Sequence, residues 1–116
     1  MNIETQLYLA LGPLVGDRAL PDFAPEGTPL PFITFQSIGG QPLSFLDGSA
    51  PNKEFSRVQV NVWAQSRVEA SDIAKAVEGA LRAISTLQTE VLTGRIATFD
   101  ETTEYRGTMQ DFSFFT

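Results

Sequence analysis

The stretch FSRVQVNVWAQSRVEASDIAKAVEGALRAIS, residues 55–85, changes its apolar period part-way along, and that change decides the fold class. In its first third Ser56, Val58, Val60, Val62 and Ala64 share one phase, while Phe55, Arg57, Gln59, Asn61 and Trp63 take the other. Alternation of this kind is a strand, with the valine row as its core face. Beyond Ser66 the spacing becomes three and four. Val68, Ile73, Val77, Leu81 and Ile84, with Ala70, Ala74 and Ala80, form a continuous stripe that predicts an amphipathic helix over about 67–84. Ser66 stands three residues before Glu69, the spacing of a capping box. Gly79 inside the helix costs about 1 kcal/mol relative to alanine, and close approach to the sheet is the expected reason for it.

The flanks supply the remaining elements. Ile3, Leu7, Ala10, Leu11 and Leu14 make one face of a short helix that Gly12-Pro13 ends. The proline-rich VGDRALPDFAPEGTPLP reads as an irregular surface connection, with at most a short extended piece around Arg18 to Leu20. Strands follow from Phe32 to about Ile38, from Val91 to Phe99 and from Thr108 to Phe115, the last two separated by the acidic turn DETTEYRG. The prediction is one α+β domain over residues 1–116. An antiparallel or mixed sheet of four to five strands carries two helices on one face, in the order α-β-β-β-α-β-β.

Composition excludes several function classes. The 14 acidic and 8 basic residues give a net charge of −6, which disfavours nucleic-acid and anionic-membrane surfaces, since both need clustered lysine and arginine. Cysteine and histidine are both absent. Disulfides, thiolate sites and the commonest general base and metal ligand go with them. No cofactor or metal is expected. The N-terminus has no basic region ahead of its apolar residues and no stretch of membrane-spanning length, so no targeting segment is expected and the protein reads as cytoplasmic.

No catalytic motif in the sequence is complete. SIGGQP, residues 37–42, lacks the third glycine and the following helix of a dinucleotide fingerprint. Asp100, Glu101 and Glu104 are the best carboxylate cluster, but without the glycine-punctuated spacing of a calcium loop they read as a solvated turn. Asp47-Gly48 is a turn signal. Arg18 is a candidate to pair with a carboxylate across an interface.

Two features remain unspent. The connection at residues 40–54 is far longer than a hairpin needs and contains Leu43, Phe45 and Leu46. Both phases of the strand at 32–38 carry bulky apolar groups, and Trp63 lies opposite the valine row, so a second apolar sheet face is expected. Either the chain's own extended segments fold back over it, or another subunit does. The candidate contacts are Leu43, Phe45, Leu46, Asp47, Arg57 and Trp63. A different reading makes the open face around Trp63, with Arg57, Gln59 and Asn61, a pocket for a small molecule or peptide. A hydrolase built on Asp100 or Glu101 is the third and poorest fit.

The order LVGDRALPDFAPEGTPLPFITFQSIGG, then LDG, then RVQVNVWAQSRVEASDIAKAVEGAL, then YRGTMQDFSFF closely resembles the tail-completion family of long-tailed bacteriophages and prophages, proteins similar to tail terminators. The likeness covers essentially the whole chain. It implies a structural virion protein without catalytic residues. Such a subunit belongs to a ring, commonly a hexamer, at the head-proximal end of the tail tube, where it stops tube polymerisation and meets the head connector. The resemblance further implies assembly in the bacterial host and a place in the virion neck. Its partners would be copies of itself, the tail tube protein and head connector proteins, with no specific nucleic-acid or membrane binding. Residues 40–54 fall where such proteins have an extended excursion.

Overall fold

The computed structural model describes residues 2–39 and 55–115. Helix α1 (Ile3–Leu11) starts at Asn2, whose Oδ1 accepts from the Thr5 amide at 2.8 Å, and continues as a 3-10 turn over Gly12–Leu14. Four further elements follow in order: β1 (Ala19–Pro21), β2 (Phe32–Ser37), β3 (Phe55–Ala64) and α2 (Arg67–Arg82). The chain closes with β4 (Glu90–Val91), β5 (Ile96–Phe99) and β6 (Arg106–Phe115).

The sheet is mixed, with order β1-β2-β3-β6 and both β4 and β5 on the outer edge of β6. Among the described residues only the β1–β2 pair is parallel. The predicted class and element order hold, but among the described residues the sheet has six strands. The extended piece at 18–20 gains a partner in β2, and the strand expected over 91–99 breaks in two. Glu90 and Val91 pair with Ser113 and Phe112, whereas Ile96 pairs with Met109. Residues 92 to 95 therefore face only Gln110 and Asp111, a bulge with two extra residues.

Side chains on the bulge and its neighbours hold it. Gln110 Nε2 donates to Glu78 Oε1 at 2.7 Å and to the Thr93 carbonyl at 3.0 Å, and Arg95 Nη1 donates to the same Glu78 oxygen at 2.9 Å. Gln110 is buried on the helix side of β6, so this network satisfies an amide that would otherwise be costly there.

Register assigns the two faces. Val58, Val60 and Val62 lie beside Ile33 and Phe35 of β2 and Phe112 of β6. Leu7 and Leu11 of α1, and Ala74, Val77 and Leu81 of α2, complete this core. Burying one such leucine or valine contributes about 1.5–3 kcal/mol.

Ser66 caps α2 as expected, its Oγ accepting from the Glu69 amide at 3.1 Å, but the Glu69 carboxylate accepts from the Gln65 amide rather than from that of Ser66. Two helix positions depart from expectation. Val68 is 70 % exposed. It lies nine residues before Val77, roughly 180° round the helix at 3.6 residues per turn, so both cannot face the sheet. At Gly79 an added Cβ would meet nothing within 4 Å, so this glycine faces open space and makes no close approach. Gly79→Ala is expected to raise stability by about 0.5–1 kcal/mol, measured by chemical denaturation.

Candidate functional site

The face of the sheet away from the helices is the surface left for function, and it divides into three zones. At one end the crossover from β1 to β2 lies over it, against Phe32, Thr34 and Trp63. Phe32 and Thr34 are buried as a result, with the Phe32 ring edge-on to Tyr105 at 6.2 Å between centroids. In the middle Gln59, Asn61, Arg57 and Asp111 make the surface polar. At the other end Phe55 and Phe115 pack ring against ring, centroids 4.8 Å apart. The expected broad apolar face is therefore interrupted. Two of the three phenylalanines of β6, Phe112 and Phe114, face the helices, which leaves Met109, Asp111, Ser113 and Phe115 on the open side.

Arg57 is tied within this face. Its Nη2 donates to Asp111 Oδ2 at 2.6 Å and its Nε to the same oxygen at 3.1 Å, while the Asp111 amide donates to Thr93 Oγ1 at 2.9 Å. The guanidinium side remains 44 % exposed against 12 % for the aspartate, so solvent screening limits the pair's worth. A double-mutant cycle of Arg57→Met and Asp111→Asn is expected to return a coupling of about 1 kcal/mol that shrinks as salt rises.

Trp63 lies partly buried where the crossover meets the sheet, lining a cleft of about 390 Å³. The sequence offers both a fold-back of extended segments over this face and a pocket around Trp63, but the cleft is lined by the proline-rich crossover and not by Arg57, Gln59 or Asn61, because nothing local in that segment says where it returns across the sheet. Arg18 helps hold that return. Its Nε donates to the Pro31 carbonyl at 3.0 Å and its Nη2 to the Leu30 carbonyl at 3.3 Å. Leu43, Phe45, Leu46 and Asp47 lie outside the described residues.

The acidic turn behaves as a turn. Asp100 Oδ1 accepts from the Thr102 amide at 3.0 Å, and the Glu104 amide donates to the Asp100 carbonyl at 2.7 Å. Among the described residues no three His, Cys, Asp or Glu side chains are grouped to hold a metal, and no helix is long and apolar enough to cross a membrane.

A family model described as tail completion protein gp17 matches residues 8–116. The chain belongs to this family. Tail-completion proteins are structural parts of the phage tail, so the chain's place is the virion tail and its contacts are with tail and head components. The tail-completion chain is also similar to a solved structure described as bacteriophage SPP1 gp17 protein, at 15 % identity over 97 % of this chain and 87 % of that one, with a TM-score of 0.50. That likeness is one of fold. No curated protein matches the chain significantly.

Proposed function

We propose that this tail-completion chain works as a ring subunit, with a hexamer as the expected order. It caps the head-proximal end of the tail tube, stops its polymerisation and presents a surface to the head connector, after assembly in the host cytoplasm. The family match along residues 8–116 carries this reading. The net charge of −6 supports it, because a ring through which DNA passes should repel phosphate rather than grip it.

The proposed assembly contacts are Leu43, Phe45, Leu46 and Asp47 in the 40–54 segment, and Arg57 and Trp63 on the open face. The apolar three supply area that becomes buried when a neighbour or the tube docks. The double variant Phe45→Ser, Leu46→Ser tests the segment. Its thermal midpoint should stay within about 4 °C of the parent, the effect of a surface change, while native mass spectrometry with tube protein should show loss of the ring-bound species. A collapse of the midpoint would place both residues in the core, and undiminished assembly would remove them from the contact.

A further inference from the structure

The cleft beside Trp63 combines two kinds of group. Phe23, Trp63 and Tyr105 supply aromatic surface, Asp22, Glu26 and Asp100 supply carboxylates, and among the described residues no lysine or arginine lines it. Phe23 is 70 % exposed, a large ring held out to solvent at the cleft's edge. The ion pairs among the described residues are Arg57 with Asp111 and Arg95 with Glu78, so no described cation pairs with Asp22 or Glu26. Two arginines of the neighbouring described segments are engaged elsewhere. Arg18 donates to two backbone carbonyls, and Arg106 lies over the Phe99 ring at 4.2 Å from its centroid.

Ring faces attract cations through their quadrupole, and carboxylates add Coulomb attraction of the same sign. An anion would be repelled by the acidic groups, and a neutral apolar ligand would desolvate them without return. The volume of about 390 Å³ is in the range of pockets that enclose a small ligand or one long side chain with its flanking backbone. We propose that this cleft binds a cationic side chain, guanidinium or ammonium, presented by an extended segment of a partner protein. Thr34, 8 % exposed, contributes a hydroxyl to the same wall. The occupant is thus a basic peptide segment, and the site belongs to the free subunit whether or not a ring forms.

Trp63 is the only tryptophan of the chain, so its fluorescence and indole NMR signal report on the cleft alone. The full chain at low salt is titrated with acetyl-Gly-Arg-Gly-amide, and in parallel with the same peptide carrying citrulline, a neutral isostere. The arginine peptide is expected to give a saturable Trp63 shift that weakens with salt, and the citrulline peptide none. Asp22→Asn with Glu26→Gln should weaken the response about fivefold. Asp22 has a φ of 69°, which asparagine tolerates, so this variant keeps its backbone. Glu4→Gln with Asp72→Asn makes the same charge change on the helices and should leave the affinity within about twofold. No shift up to about 10 mM peptide, an equal response to citrulline, or an equal loss in the helix pair would each overturn the proposal. Ring assembly is measured separately, so either can fail without the other.

Discussion

Val60→Asp is expected to abolish folding at room temperature. Val60 is 2 % exposed at the centre of the β2-β3-β6 ladder, directly between Phe35 and Gln110. A carboxylate there loses its hydration and has no cation to meet. The one polar neighbour in register, Gln110, already donates its amide hydrogens to Glu78 and Thr93, and the Glu78 carboxylate would add like-charge repulsion. An uncompensated buried charge costs at least about 4 kcal/mol, a large share of the roughly 5–15 kcal/mol that holds a domain folded. Circular dichroism of the variant should show an unfolded chain at neutral pH. Val60→Thr, with a hydroxyl that is smaller and uncharged, should fold with reduced stability. A cooperative transition for the aspartate variant near that of the parent would mean that the helix-sheet interface is not where the register puts it.

Gly107→Ala is the second large effect, expected to cost about 3 kcal/mol or more. An added Cβ at residue 107 would lie 2.6 Å from the Val62 carbonyl oxygen, 2.7 Å from Thr98 Oγ1 and 2.7 Å from Trp63 Cε3. The threonine and the indole have some freedom to move, but the carbonyl belongs to the central strand. The guanidinium of Arg67, at the start of α2, donates to the carbonyls of Gly107 and Thr98, which pins the same place from the helix. Relief by displacing β6 from β3 would disturb their ten-residue pairing. Denaturant titrations of Gly107→Ala and Gly79→Ala should therefore shift in opposite directions. Equal shifts would contradict the placement of the two glycines.

Those two glycines show how far the sequence could be read. A glycine in a helix is visible as an anomaly, and Gly79 drew an explanation that the structure does not need. Gly107 sits among strand residues, where only the packing of Val62, Trp63 and Thr98 around it reveals the requirement. The alternation of β3 and the three-four spacing of α2 were legible because each element buries one face, and periodicity records that directly. The same reasoning fails at Val68, whose apolar character comes without the phase that burial requires. Strand count failed at 92–95, since a bulge is held by tertiary bonds from Gln110 and Glu78 rather than by local composition. The open face was half legible. Trp63 and Arg57 were placed on it, but Asp111 as the partner of Arg57 lies 54 residues away, and the crossover that shelters Phe32 depends on a parallel β1–β2 pairing that no local pattern encodes.

The account stands most directly on the lengths of tubes grown from purified tail tube protein, measured by electron microscopy with and without this chain. Tail completion by capping predicts that adding the subunit arrests growth and leaves extra density at one end of each tube. Tubes that reach the same uncontrolled lengths in both samples, with bare ends, would contradict it.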